Sequence, residues 1–325
     1  MKKILVFSNR EQIGDGIIKL PFVHEIKKRF PNYIFIWATN SGTTVYNHSI
    51  KNIANQYIDV FYEKIPLISF FLRKKTHKYD LKQTFDIIID TQKAVIRTVA
   101  LRRLKTKIFI SSSGNWFFSD IKPLSKTKDI NNFYLNDLFF MLNLISKDSI
   151  KDDFIIKIPN ELNIEIDKIF YGNKKYFGFS PGSATKNRIW KIENFIKVAK
   201  YVENLNFIPT LFLGPLEKDL KEIIITDLPN AFFPEDLIKN FSGPEVVMAA
   251  SKYLFCSLAN DSGTSHMLSI NSKSLIKLIG PTTSKFTPKN NRFHIIDSKL
   301  FGSKDINSIN PNDVIDYIKK QILKS

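Results

Sequence analysis

Twice along this chain, short apolar runs alternate with longer amphipathic stretches, and no other feature restricts the fold as much. An apolar run too short for a helix, bounded by turn residues, reads as a strand buried on both faces. A helix between two such strands favours parallel pairing. In the first half, residues 3–7, 33–37, 57–61, 85–89 and 107–110 read as strands, and helices are expected over 17–30, where Pro31 stops the run, and over 93–104. An irregular middle follows, with one expected helix over 135–144 and charged stretches at 146–153 and 161–168. The alternation then restarts with strands at 176–180, 207–213, 231–233, 253–257 and 274–279, and helices at 192–203, 244–250 and 314–323. The expected fold class is α/β: two Rossmann-like, doubly wound parallel-sheet domains facing a cleft, one over residues 1–170 and one over 171–310, with a terminal helix over 311–325. Ligands of open parallel sheets bind beyond the carboxyl ends of the strands, so strand-to-helix loops should carry the chemistry.

Composition bears on partners. The net charge of +17 comes from 48 basic and 31 acidic side chains. Two clusters stand out: Arg73, Lys74, Lys75, Lys78 and Lys82, then Arg97, Arg102, Arg103, Lys105 and Lys107. Such fields attract polyanions, although a lysine-rich solvated surface explains them equally well. Cys256 is the one cysteine, which excludes an internal disulfide and suits a reducing compartment. It sits in an apolar run and reads as a packed thiol. The apolar run after Met1-Lys2-Lys3 stops at Ser8, too short for a secretory signal, and no stretch is long enough to cross a bilayer. The expectation is a cytoplasmic protein.

Five loops could carry chemistry. In the first, Gly14 and Gly16 permit close backbone approach, and Asp15 between them reads either as a helix cap or as a general base facing a ligand. A dinucleotide fingerprint fails there, because Lys19 stands where its third glycine is due. In the second, Pro181, Gly182 and Ser183 leave backbone amides open and Arg188 follows, a combination suited to a diphosphate. In the third, Gly214 and Glu217 form a turn whose acid reads as a ribose-binding group or as a first-turn helix residue. The fourth is Asp261-Ser262-Gly263-Thr264-Ser265-His266, a helix start with exposed amides and a histidine one turn in. The fifth is Gly280-Pro281-Thr282 at another strand end. No Asp-x-Asp occurs, the five histidines lack metal-ligand spacing, and no Gly-x-Ser-x-Gly or P-loop appears. No metal or other cofactor is expected.

In this order the five segments resemble glycosyltransferase family 9, the heptosyltransferases of lipopolysaccharide core assembly, over roughly residues 3–285. Gly14-Asp15-Gly16-Ile17-Ile18-Lys19-Leu20-Pro21 is similar to the family's Gly-Asp-x-x-x-x-Leu-Pro, with Lys19 where many members carry a polar residue that faces the acceptor. Asp261-Ser262-Gly263-Thr264-Ser265-His266 and Gly280-Pro281-Thr282 are the most specific matches. The resemblance implies a GT-B fold, with acceptor on the first lobe and nucleotide sugar on the second. It also implies metal-independent transfer with inversion. Asp15 would be the base, Arg188 would stabilise the leaving diphosphate, and Glu217 would bind the ribose. Asp261, Ser262, Gly263 and His266 would hold the diphosphate and sugar. Implied partners are a nucleotide-sugar donor, ADP-heptose foremost, and a phosphorylated lipid-linked glycan acceptor at the inner membrane face. In related two-lobed transferases the terminal helix crosses back to the first lobe, and the same is expected of 311–325. The rival readings are a nucleotide-sugar epimerase on the same fold and a non-enzymatic polyanion-binding module. No nucleic-acid motif supports a nucleic-acid partner.

Overall fold

The computed structural model describes residues 1–67, 78–123, 134–146, 156–282 and 292–323. The chain divides into two units, Met1–Phe154 and Ile155–Ser325. Each is built on a five-stranded, wholly parallel sheet.

The first sheet comprises β1 (Lys2–Phe7), β2 (Tyr33–Ala38), β3 (Val60–Tyr62), β4 (Phe85–Asp90) and β5 (Thr106–Ser111), in the order β3-β2-β1-β4-β5. Its central strands are buried continuously rather than alternately: Ile4, Leu5, Val6 and Phe7 on β1, and Ile87, Ile88 and Ile89 on β4. Both faces are therefore covered, as the apolar runs require. Its helices are α1 (Ile13–Arg29), the one-turn α2 (Lys51–Ala54), α3 (Val95–Arg102) and α4 (Tyr134–Ser146). α1 begins ahead of the residue 17 read from the sequence, so Gly14, Asp15 and Gly16 belong to a helical first turn rather than to a loop. Pro21 lies inside α1, where it lacks the N–H that would reach back one turn.

The second sheet runs β10-β9-β8-β6-β7, from β6 (Lys175–Ser180), β7 (Phe207–Leu211), β8 (Leu254–Asn260), β9 (Leu275–Ile279) and β10 (Phe293–Asp297). The expected strand at 231–233 reduces to a single parallel bridge between Phe232 and Thr210. The helices of this unit are α5 (Asn160–Ile169), α6 (Ile192–Glu203), α7 (Leu220–Asp227), α8 (Pro234–Leu237), α9 (Gly243–Ala250), α10 (Gly263–Leu268) and α11 (Pro311–Tyr317). α5 comes from the stretch read as charged and irregular. It buries only Leu162 and Ile166, one turn apart, and packs on α9. The division between the two units falls before α5. α11 continues into a π turn over Ile318–Ile322. Val314, Ile315, Ile318 and Ile322 enter the core of the second unit.

Candidate functional site

In the second sheet the chain steps from β6 to β7 on one side and then crosses to β8 on the other. β6 and β8 therefore flank the topological switch point, where open parallel sheets bind their ligands. Pro181, Gly182 and Ser183 follow β6 and are buried; Asp261, Ser262 and Gly263 follow β8. Asn260, fully buried, ties the two loops together. Its Nδ2 donates to Pro181 O at 2.6 Å, and its Oδ1 accepts from Trp190 N at 3.3 Å. Trp190 is anchored in turn by its Nε1–H on Ile309 O at 2.9 Å.

Glu217 lies across both glycine turns. A Cβ added to Gly182 would stand 2.5 Å from the Glu217 carboxyl carbon, and one added to Gly214 would stand 2.5 Å from Oε2. The two glycines thus leave the space that this carboxylate fills. Burial pushes the Glu217 carboxyl up from its ordinary pKa, with the backbone N–H groups of Gly214 and Glu217 partly opposing it. Glu235, on α8, is pushed up to about 7, mainly by burial, while the N–H of Leu213 pulls the other way. A Cβ on Gly243, at the start of α9, would come 2.6 Å from Glu235 Oε1.

Asp261 is the hub of a charged cluster. Its Oδ1 lies 2.9 Å from the Nζ of Lys277, its Oδ2 accepts from Thr282 Oγ1 at 2.8 Å, and Arg188 Nη1 stands 3.8 Å from Oδ2. Burial raises the Asp261 carboxyl, but Lys277 and the hydroxyl of Thr282 outweigh it and hold the group below its ordinary pKa. His266, in α10, is held well below the ordinary histidine pKa, first by burial and then by the charge of Lys277, so its imidazole is neutral. Ser262 caps α10, accepting from Ser265 N at 3.5 Å, and leaves Gly263 and Thr264 partly exposed in the first turn. Gly280 answers to packing: a Cβ there would meet Ile306 Cβ at 2.9 Å. Pro281 beside it is exposed.

In the first unit two of the motif residues, Gly16 and Lys19, are buried. Lys19 is only 3% exposed. It pairs with Glu11 at 3.0 Å and donates to Ser8 Oγ at 2.6 Å. Glu11 also accepts from Thr44 Oγ1 and Trp37 Nε1, so this buried pair is satisfied and ties the β1–α1 loop to its surroundings. Gly16 is needed by packing, since a Cβ would sit 2.3 Å from Val45 Cγ2, and its carbonyl accepts from the Tyr46 hydroxyl. Asp15 stays exposed in the first turn of α1, where its Oδ2 accepts from Gln12 N at 3.1 Å. The capping reading of Asp15 is realised, on a carboxylate that still faces solvent at the carboxyl edge of β1.

Some residues escaped the motif reading. Lys277, Asn260 and Glu235 are three; the lysine interrupting the apolar run at 275–279 was the visible signal for the first. Asp90 is another: it closes β4, is fully buried, and accepts from Thr98 Oγ1 and Ser111 Oγ. Cys256 is buried, and burial pushes its thiol up to about 12, which leaves it inert. Of the basic clusters, Arg102 pairs with Asp120 and Lys107 with Asp86, while Arg73, Lys74 and Lys75 lie outside the described residues. Among the described residues no helix is long and apolar enough to cross a membrane, and no His, Cys, Asp and Glu side chains group as a metal site would need.

Amide and cation donors at one switch point, beside a carboxylate set between two glycines, suit an anionic nucleotide with free hydroxyls. The comparisons with known proteins agree. The family model described as glycosyltransferase family 9 (heptosyltransferase) matches residues 75–307. A family 9 glycosyl transferase from Veillonella parvula superposes with a TM-score of 0.74 at 18% identity, covering 100% of this chain and 98% of that one. The E. coli heptosyltransferase WaaC, solved with ADP, gives 0.67 at 15% identity over 98% and 97%. E. coli ADP-heptose lipopolysaccharide heptosyltransferase II gives 0.66 at 12% identity over 99% of each chain. These structures share the GT-B fold with two Rossmann-like domains. Among curated proteins no sequence matches. The chain belongs to glycosyltransferase family 9 and is a glycosyltransferase.

Proposed function

We propose that the protein transfers a sugar, with inversion and without a metal ion, from a nucleoside diphosphate donor to a phosphorylated lipid-linked glycan such as a lipopolysaccharide core. The carrying observation is the set of loops at the switch point of the second sheet, where Gly182, Gly214, Glu217, Arg188 and the Asp261–His266 segment converge. Glu217 accepts the ribose hydroxyls from its place between the glycines. Ser262, Gly263, Thr264 and the neutral His266 donate to the diphosphate and sugar. Arg188 balances the charge that grows on the leaving diphosphate, a transition-state effect. Asp15 removes the proton from the acceptor hydroxyl as its oxygen attacks the anomeric carbon and the bond to the diphosphate breaks on the opposite face. The solvent-facing carboxylate of Asp15 supports that role.

The donor best supported is ADP-heptose, because a related heptosyltransferase was solved with ADP and again with ADP-2-deoxy-2-fluoro heptose. The net charge of +17 suits a cytoplasmic protein that meets its acceptor at an anionic membrane face.

A thermal-shift series with ADP-, UDP-, GDP-, CMP- and dTDP-sugars tests the donor, since ligands that bind only the folded state raise its melting temperature. A shift with ADP-heptose alone upholds this reading; a shift with a different nucleotide class replaces the donor. Asp15→Ala is expected to abolish transfer while leaving donor binding intact. Full transfer by that variant overturns the assignment of the base.

A further inference from the structure

We propose that Lys277 is a positioning residue of the donor site: by holding Asp261, it keeps Arg188 available to the donor's diphosphate. The inference rests on the reading of the second unit as the donor side.

Lys277 stands in β9 between Ile276 and Leu278, both fully buried, and is itself 1% exposed. An apolar residue would fill that position without the cost of desolvating an ammonium, so the charge needs a local purpose. The ammonium lies 2.9 Å from Asp261 Oδ1 and has no hydrogen bond of good geometry among the described residues. It is an ion-pair partner shut off from solvent.

The carboxylate of Asp261 faces two cations. Oδ1 is engaged by Lys277 and Oδ2 by the hydroxyl of Thr282. Arg188 is left at 3.8 Å, beyond hydrogen-bond reach. Without Lys277, Asp261 would be free to take the guanidinium in a two-donor grip, the geometry that favours arginine–carboxylate pairs. The donors that Arg188 would turn to a diphosphate would then be occupied. The charge balance changes in the same direction: Arg188, Lys277 and Asp261 together carry one positive charge, and Arg188 with Asp261 alone carries none.

The test measures what Arg188 contributes in different backgrounds, by titrating the purified full chain with ADP, UDP and GDP in a calorimeter. In the wild type, Arg188→Ala should weaken the preferred diphosphate roughly tenfold or more, as loss of a charge-assisted contact does. In Lys277→Met the affinity should already be reduced by about that factor, and adding Arg188→Ala should change little. In Lys277→Met with Asp261→Asn, which frees the guanidinium again, Arg188→Ala should once more weaken binding. A purely structural lysine would not make the effect of Arg188 depend on Asp261. If Arg188→Ala costs the same factor with and without Lys277, the proposal is overturned. Lys277→Gln replaces the methionine variant if that one does not fold. Failure of the wild type to bind any of the three diphosphates overturns the donor-site reading, and the proposal with it.

Discussion

Replacing Gly182 with alanine should damage nucleotide binding and leave the fold almost untouched. The added Cβ would stand 2.5, 2.7 and 2.8 Å from the carboxyl carbon and the two oxygens of Glu217. Ordinary carbon contacts begin near 3.5 Å, so the carboxylate must retreat by about 0.7–1 Å. What it meets is the far end of a flexible side chain, and Glu217 is only partly buried, so a new rotamer relieves the overlap. The stability cost should therefore stay below about 1 kcal/mol, at the low end of what single substitutions cost. The binding cost is larger. A hydrogen bond to a charged group is worth about 1.5–3 kcal/mol, and losing it weakens the nucleotide by roughly 10- to 150-fold. Urea unfolding and calorimetric titration with the preferred nucleotide measure the two quantities on one sample. Gly214→Ala, aimed at the same Oε2 at 2.5 Å, should behave alike, and Glu217→Gln should not weaken binding further in either background. Unchanged affinity in Gly182→Ala, alongside a clear loss in Glu217→Gln, would refute the argument that this glycine exists to seat the carboxylate.

Asp90 should make stability depend on pH. Burial raises its carboxyl to about 6 from the ordinary 3.8, outweighing the hydrogen bonds from Thr98, Gln92 and Ser111. The folded state thus binds the proton more tightly than the unfolded chain. The group's contribution is complete below the unfolded value and is lost as pH rises through about 6, a change of about 3 kcal/mol. The stability difference between wild type and Asp90→Asn should shift by about that amount between pH 4 and pH 8, and a constant difference would contradict the linkage. Lys19→Met strands the carboxylate of Glu11 among buried neighbours and should cost about 3–5 kcal/mol of stability. If its melting temperature is unchanged and only acceptor KM rises, Lys19 serves the acceptor after all.

Much of the fold was legible because strand and helix periods are local. The strands at 3–7, 33–37 and 85–89 appear within a residue or two of their expected bounds, and the helix at 192–203 spans the expected residues. The helix at 160–169 was obscured because only two of its positions are buried, which leaves its charges to dominate the pattern. α1 starts ahead of residue 17, the start read from the sequence because Gly14 and Gly16 suggest a loop, although Gly16 is set by its contact with Val45. Lys19 illustrates the same difficulty. Its place in a motif suggested a ligand contact, and only three-dimensional packing delivers Glu11 and Ser8 to its ammonium.

The alternation of strands and helices, the loops that follow the strands and the residue types in those loops are local properties of the chain. These depend on periodicity and turn chemistry over a few residues. Which loops meet at the switch point follows from folding in three dimensions. Strand order is set by pairing between distant segments, so only the neighbourhood of β6 and β8 brings Asn260 to Pro181 O at 2.6 Å. Folding also decided what each motif residue does. Two glycines far apart in sequence became one seat for Glu217, while Gly16 and Gly280 proved to be sites of close packing. A lysine in an apolar strand acquired its meaning from a carboxylate on the next strand's loop, because a charge buried there has to be met by whatever the fold places beside it.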